Sequence, residues 1–442
     1  MDSNFLDYLL IPTKQNKIKL QEISTPYKLR KEMLDTIPSE FWMTPKKIFE
    51  PCCGKGGFVL DVITRFMTGL QRTITDDKER YKFIVEECIY FADINKNNIK
   101  IVKQLIDVLD EYNLNYYEGN TLGMDIEKEF GLKGFDLVVG NPPYQNLQNN
   151  ISKRGGGDLL WNKFVKKSFD LWLIENGFLL FVHPSGWRKP ESKKSKFKGL
   201  FKLITHENQM IYLSIHNTKD GMKTFKCGTR YDWYLVNKTK KCKNTFISDE
   251  NNLIHNIDLK NWSFLPNYNF EVVEKLIQEN DDSKVIFSNS SYETRKPWVS
   301  QGENVIFNRS SYSSDDKNVS KKHTDEFKYP LIHSTPKKGV RIMYSSINTK
   351  GHFGVPKVIF GETGIYNAII DEKGEYGMTQ HAMAIPFDNI EEATNIKKAI
   401  ESKEFKKILD SCSWSNYMID WRLFTYFKKD FWREFIKCKN IT

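Results

Sequence analysis

Phe135-Asp-Leu-Val-Val-Gly-Asn-Pro-Pro-Tyr-Gln145 is the stretch on which the reading of this chain turns. Asp136 to Gly140 is a short, β-branched apolar run closed by glycine, the pattern of a buried strand. Asn141, Pro142, Pro143 and Tyr144 follow at once. Each proline fixes its own φ and removes an N–H donor. Each also pushes the residue before it towards extended geometry. The product is a stiff turn at the carboxyl end of a strand, offering an Asn side chain, unpaired backbone carbonyls and an aromatic ring. A planar amino group conjugated to a heteroaromatic ring suits that set. The Asn141 side-chain oxygen and the Pro142 carbonyl can each accept one of its two N–H bonds, and Tyr144 can stack on the ring. A plain proline turn after any strand reads the same way, so support must come from elsewhere in the chain.

Upstream, strands alternate with helical patterns. Thr25-Pro26 is a helix-start signal, an N-cap hydroxyl followed by proline at the first helical position. Leu29, Met33 and Leu34 then share a face, and the helix is expected to end near Ile37-Pro38. Lys47 to Glu50 reads as a strand running into Pro51-Cys-Cys-Gly-Lys-Gly-Gly57, with a helix beyond. Gly54, Gly56 and Gly57 carry no Cβ, so a ligand can approach this backbone closely. The turn lacks the Gly-Lys-Ser/Thr ending of a phosphate loop, and its spacing does not fit a dinucleotide fingerprint. Residues 64–82 read as an inserted charged helix or loop. Ile89 to Ala92 is the next strand, ending in Asp93, and an acidic residue at this tip is where ribose hydroxyls are held in doubly wound folds. A helix over 98–112 is expected to bury Ile99, Val102, Leu105, Ile106 and Leu109. Leu114 to Tyr117 is a third strand, leading to Asn120, and Phe135 to Val139 a fourth. A helix over 158–176, a strand over 177–182 closed by His183-Pro184, and strands around 209–215 and 233–236 complete the set. This alternation, with polar residues at strand carboxyl ends, argues for a parallel α/β sheet with a site along that edge.

The chain has 442 residues, 40% hydrophobic and 14% aromatic, enough for two or three cored domains and unlike a disordered composition. Net charge is +10, from 66 basic against 56 acidic residues, a modest tilt towards a polyanionic partner. Basic residues cluster in 188–202 and 238–243, where a solvated surface loop is the simpler reading. The seven cysteines form no metal-binding spacing. Free thiols in a reducing, intracellular (cytoplasmic) compartment are expected. No apolar run approaches the roughly 20 residues of a membrane span, so no membrane association is expected, and no metal site is seen. Residues 148–157 are polar and glycine-rich, a candidate mobile loop. From about 245 the βα alternation stops. Short apolar runs, aromatics and turn signals over 285–390 suggest a mixed, mostly β second domain, followed by a helix over 390–410 that buries Ile396, Ile400, Phe405 and Ile408. The expected division is 1–245 and 246–442.

Taken in order, the Thr25-Pro26 helix, the Glu50 to Gly57 turn, Asp93, Asn120 and the Asn141-Pro-Pro-Tyr144 turn resemble the AdoMet-dependent adenine-N6 DNA methyltransferases. The motif order resembles the gamma class found in restriction–modification systems and in orphan bacterial or phage enzymes. The resemblance rests on residues 25–236. It implies a Rossmann-like methyltransferase sheet, then a target-recognition domain with C-terminal helices, and S-adenosyl-L-methionine as cofactor. It also implies double-stranded DNA as partner and, in restriction–modification systems, a cognate restriction endonuclease.

Residue by residue, the resemblance implies that Thr25 and Pro26 line the methionine end of the cofactor, and that Glu50, Pro51, Cys52 and Gly54 form its main turn. It implies that Asp93 holds the ribose and Asn120 the adenine amine. Cys52 and Lys55 depart from the usual small residues, and Asn120 stands where an Asp is common. Asn141, Pro142 and Tyr144 match the catalytic motif unchanged, and Phe225 resembles an aromatic that packs on a flipped base. Two alternatives stay open: an RNA adenine-N6 methyltransferase, and a DNA-specificity protein with an inactive methyltransferase fold. His183, beside the expected site, reads as structural, and Asp371-Glu-Lys373 as a turn rather than a nuclease site. Arg295, Trp298, Arg309, Arg341 and Lys357 are candidate DNA contacts.

Overall fold

A computed structural model describes residues 10–12, 22–146, 158–191, 195–240, 243–277, 308–309, 312–414, 419–428 and 430–436. These divide into two compact units, one of residues 1–187 with 193–260, the other of 188–192 with 261–442. The first unit runs to residue 260, past the division expected at 245.

The first unit is built on β1 (Ile48–Glu50), β2 (Ile89–Asp93), β3 (Asn115–Glu118), β4 (Phe135–Gly140), the short ribbon β5 (Gln145–Asn146) and β6 (Asp158–Leu159), then β7 (Leu173–Pro184), β8 (Gln209–His216), β9 (Tyr231–Asn237), β10 (Thr245–Ser248) and β11 (Ile254–Ile257). All but the ribbon join one nine-stranded sheet, in the order β11-β10-β8-β9-β7-β4-β1-β2-β3. Strands β1, β2, β3, β4 and β7 are parallel. β9 runs antiparallel between β7 and β8. The fold class is the Rossmann-like α/β sheet the alternation suggested, with a β-rich region beyond it. The order reverses between β1 and β4, because the chain builds outward to β3 and then returns to the other side of β1. Such a switch point opens a crevice at the strand carboxyl ends.

The central strands read as continuous apolar runs because helices cover both faces. β2 is buried throughout and β4 nearly so. One core joins Leu29, Met33 and Leu34 from the Tyr27–Asp35 helix, Phe58, Val59, Val62, Ile63 and Phe66 from the Gly57–Gly69 helix, and Phe91, Leu137, Val139, Leu180 and Trp233 from the sheet.

Several local expectations are corrected. The N-cap of the first helix is Pro26, with no side-chain cap, and its C-cap is Thr36. Thr25 instead offers its backbone carbonyl to Arg30. Residues 64–82 are not one insertion. The helix begun at Gly57 continues to Gly69, and a second helix, Asp77–Phe83, is capped by the Asp76 carboxylate. Two helices therefore fill the long interval between Glu50 and Asp93. The next helix is Lys96–Ile106, shorter than expected. The Asp107 carboxylate accepts from the Glu111 and Tyr112 amides and turns the chain away. Leu109 is consequently 73% exposed, while Leu105, inside the helix, is 38% exposed. The expected 158–176 helix covers only Trp161–Lys167 plus one wide turn to Trp172, and β7 starts at Leu173.

The second unit carries β12 (Asn308–Arg309), β13 (Val319–Ser320), β14 (Tyr329–Ser334), β15 (Arg341–Ser345), β16 (Lys357–Gly361), β17 (Ile369–Asp371), β18 (Gly377–Met378) and β19 (Ala382–Pro386). They form two four-stranded sheets, β12-β19-β16-β17 and β13-β15-β14-β18. The expected 390–410 helix is two helices, Ile390–Glu401 and Lys403–Ser411. Ser402, in extended geometry, ends the first and caps the second. Ile396, Ile400, Phe405 and Ile408 are buried as expected.

Candidate functional site

A cavity of about 570 Å³ opens at the switch point. It collects residues from segments far apart in sequence: Thr25 and Arg30, Glu50 to Gly54 after β1, Asp93 and Ile94 after β2, Gly119 to Gly123 after β3, and Asn141 to Gln145 after β4. Of the expected residues, Thr25, Glu50, Pro51, Cys52, Gly54, Asp93, Asn120, Asn141, Pro142 and Tyr144 all line this one space. Pro26 and Phe225 do not. Pro26 caps the first helix, and Phe225 packs edge-on against Tyr231 at 4.9 Å between ring centroids.

The turns are knitted together by the backbone. Cys53 N–H donates to the Ala92 carbonyl at 2.9 Å, and Gly119 N–H to the Asp93 carbonyl at 3.0 Å. The Thr121 hydroxyl donates to the Pro51 carbonyl at 2.8 Å. Asp93 accepts from the Gly54 amide at 2.8 Å and the Asn95 amide at 2.7 Å, so its carboxylate fixes the β1 and β2 turns against each other. Burial nonetheless pushes its pKa up to about 6. Gly56 has φ +85°, and a Cβ there would meet Val102 at 2.9 Å. Only glycine satisfies both the left-handed backbone and the close helix behind it.

Glu50 is 4% exposed, and its Oε2 has no hydrogen-bond partner. Burial drives its carboxyl well above the usual range, opposed by the neighbouring Arg30 guanidinium. Arg30 is itself 3% exposed and donates from Nε to Asp61 at 2.6 Å and from Nη1 to the Thr25 carbonyl at 2.5 Å. The sequence reading missed Arg30; its only signal was a cation on the inward face of an otherwise apolar helix.

At the other end, Asn141 donates from Nδ2 to the Ile23 carbonyl at 3.3 Å. That bond sets the amide orientation and leaves Oδ1 as the free acceptor, buried and without a partner. The Tyr144 hydroxyl is buried beside the Asn141 side chain without meeting hydrogen-bond geometry with it, and desolvation pushes its pKa up. The Tyr144 carbonyl accepts from the Leu160 amide at 3.2 Å, so the β5–β6 ribbon pins this residue from behind. Asn120 spends its Oδ1 on the Leu122 amide at 3.2 Å.

Other sequence candidates resolve differently. His183 is fully buried, stacks on Trp161 at 3.9 Å and bonds to the Tyr234 hydroxyl at 2.8 Å and the Pro184 carbonyl at 3.0 Å. Its pKa falls to about 3 through burial, so it is a neutral structural histidine. Lys357 is no surface contact: it is fully buried and pairs with Asp371 at 2.6 Å. Arg188 is also buried, donating to the Leu265 and Pro266 carbonyls and to Asn267. Arg341 is exposed. Arg295, Trp298 and residues 148–157 lie outside the described residues, as does the Arg309 side chain. Among the described residues no cluster of metal-binding side chains occurs, and no helix is long and apolar enough to cross a membrane.

Residues 62–221 match the family model described as Eco57I restriction-modification methylase. That span includes Asp93, Asn120 and Asn141 to Tyr144, but not Thr25 to Gly54 or Phe225. Over 125 residues the chain is 28% identical to an "Uncharacterized adenine-specific methylase" of Mycoplasma pneumoniae, covering 28% of this chain and 29% of that protein. Over 180 residues it is 27% identical to "Modification methylase CviBIII" of Paramecium bursaria Chlorella virus NC1A, covering 39% and 40%. The matched regions thus span less than half of these curated relatives. A solved structure of the Type IIL restriction-modification enzyme MmeI in complex with DNA aligns with 90% of this chain and 63% of its own, at 11% identity and TM-score 0.45. The ATP-dependent Type ISP restriction-modification enzyme LlaBIII, bound to DNA, aligns with 92% and 38% at 10% identity and TM-score 0.46. Residues 62–221 of this chain are thus similar to the Eco57I restriction-modification methylases, in agreement with the resemblance to adenine-specific methyltransferases of restriction–modification type expected from the Asn141-Pro-Pro-Tyr144 turn.

Proposed function

We propose that this protein transfers a methyl group from AdoMet to the N6 amine of an adenine flipped out of duplex DNA at a specific sequence. The observation that carries this reading is the Asn141 Oδ1 atom: a buried acceptor with no partner, held in the same cavity as the β1 turn. An unpaired buried acceptor is costly, about 1–3 kcal/mol, unless a ligand satisfies it. An exocyclic amine supplies the missing donor.

The residues present fit the cofactor. The cavity has room for it, Gly54 leaves its mouth clear of side chain, and Glu50 offers a second buried acceptor without a partner. Thr25, Glu50, Pro51, Cys52, Gly54, Asp93 and Asn120 would hold it, with Pro26 setting the position of Thr25. Bound AdoMet supplies an electrophilic methyl carried on a sulfonium.

The chain's own task is positioning and electrostatics. Asn141 Oδ1 and the Pro142 carbonyl accept the two N6 hydrogens, so the nitrogen pyramidalises and its lone pair is freed from the ring. Proton loss to water follows, and no acid–base residue is required. Tyr144 stacks on the extruded base and offsets part of the few kcal/mol of unstacking. Phe225, which packs on Tyr231 rather than lining the cavity, supports that wall from behind. The β-rich second unit reads the DNA sequence, and a cognate restriction endonuclease would share that sequence.

Sequencing the modified bases in DNA from cells expressing the protein tests this directly. The expected result is N6-methyladenine at one sequence motif, absent with Asn141→Ala. Methylation of structured RNA in preference to duplex DNA would overturn the DNA assignment.

A further inference from the structure

On the sheet edge that carries the Tyr144 turn lies a helix of which the proposed chemistry calls on Phe225 alone. The helix Thr218–Phe225 starts in a full capping box, with the Asn217 side chain accepting from Lys219 and Asp220 amides and Asp220 returning to the Asn217 amide. Its inner side is anchored tightly. Gly221 lies so close to the Thr229 carbonyl that a Cβ would meet it at 2.1 Å. Thr224 bonds to the Tyr231 hydroxyl at 3.2 Å, and Phe225 packs on the same ring. Tyr231, which follows the turn after this helix, pairs with Pro184 at the carboxyl end of β7, the strand next to β4, so the helix lies on the sheet edge that carries the Asn141 to Tyr144 turn.

The outer side differs. Lys219 and Lys223 are one turn apart on one face, and Lys226 follows at the αL cap one turn further. All three are exposed. None forms an ion pair with a described carboxylate; Lys226 reaches only the Lys223 carbonyl, at 3.4 Å. The nearest acid, Asp220, is committed to its cap and to His216. An anchored helix thus presents three exposed cations, unpaired with any described carboxylate, on the sheet edge that carries the residue proposed to stack on the extruded base.

Resting on the proposed function, we infer that the Lys219, Lys223 and Lys226 face grips the backbone phosphates of duplex DNA beside the flipped nucleotide. The occupant follows from charge. Extruding a base brings its flanking phosphates to the cavity mouth, and lysines there would release condensed counterions on binding. Such contacts position the strand and carry no sequence information.

The test is fluorescence anisotropy with a labelled duplex of random sequence, titrated at several salt concentrations. The wild-type protein is compared with Lys219→Gln/Lys223→Gln/Lys226→Gln and with a control of equal charge, Lys78→Gln/Lys128→Gln/Lys133→Gln, on connections at the opposite edge of the sheet. The first variant is expected to lose roughly one unit of log–log salt slope per lysine, with AdoMet affinity and thermal midpoint unchanged. The control is expected to keep the wild-type slope. An unchanged slope in the first variant, or an equal loss in the control, overturns the inference while leaving the methyltransferase reading intact if wild-type protein still methylates DNA. A wild-type protein that neither binds nor methylates the duplex overturns both.

Discussion

The Asn141 amide is tied to the Ile23 carbonyl, a residue 118 positions earlier in the chain, by a 3.3 Å hydrogen bond from Nδ2. Because this bond occupies the donor, Oδ1 is left as a buried acceptor without a partner. Asn141→Ala should therefore lower the methylation rate by at least about 10²-fold, the usual cost of one preorganised polar contact. AdoMet binding, measured by calorimetry, should stay nearly unchanged. Full activity in that variant would sink the catalytic assignment.

Tyr144 contributes a ring rather than a hydroxyl, since its oxygen has no hydrogen-bond partner. Tyr144→Phe should methylate duplex DNA at close to the wild-type rate. Tyr144→Ala should lose about 1–3 kcal/mol of base stacking, a smaller defect than Asn141→Ala. Equal rates for Tyr144→Ala and wild type on duplex DNA would remove the stacking role.

Asp93 ties stability to pH. Its folded-state pKa is raised by burial to about 6, above the ordinary 3.8. The folded protein therefore holds this proton more tightly than the unfolded chain does. The contribution of Asp93 to stability is greatest below pH 3.8, declines as pH rises to about 6, and is flat above it. Urea unfolding of wild type and Asp93→Asn should show their stability difference shifting against wild type between about pH 4 and pH 6. A shift in wild type's favour over that window would contradict the assignment.

Gly56→Ala combines a left-handed φ of +85° with a 2.9 Å approach to Val102. The expected cost is about 2–4 kcal/mol, from αL strain plus overpacking. Chemical denaturation measures the loss, and AdoMet affinity should fall with it because the β1 turn must shift. A variant within experimental error of wild type would show that the turn has slack.

Lys357 and Asp371 form a buried pair in the second unit. Lys357→Met strands a buried carboxylate and should cost about 3–5 kcal/mol. Adding Asp371→Asn should recover part of that loss, because the neutral amide no longer needs a cation. Recovery will be incomplete, since Asp371 also accepts from the Glu375 and Tyr376 amides. A double variant as unstable as the single would refute the charge argument.

Much of the sheet was legible beforehand, for a physical reason. β1, β2, β4 and residues 177–183 of β7 are largely buried on both faces, so each had to be an apolar run, and each run carried its polar residues at its carboxyl end. Helix limits were less legible. Leu109 continues the apolar period of the Lys96–Ile106 helix, yet Asp107 captures the next amides and leaves it exposed. The 158–176 pattern failed in the same way, because β7 borrows Leu173 from what looks like a helical stripe. Lys357 and Arg188 looked like surface cations, and only their partners, Asp371 and the Leu265 to Asn267 segment, show why they are buried.

The Asn141-Pro-Pro-Tyr144 turn was determined by the sequence alone, because two prolines and a preceding strand leave the backbone few choices. So was the polar character of the strand tips at Glu50, Asp93 and Asn120. Which atom of Asn141 stays free, how Arg30 stands against Glu50, and where the lysines of the 218–225 helix lie were decided by the tertiary structure. Each depends on partners that only folding brings together: Ile23, 118 positions from Asn141, Asp61, 31 positions from Arg30, and Tyr231, which anchors the lysine-bearing helix through Thr224.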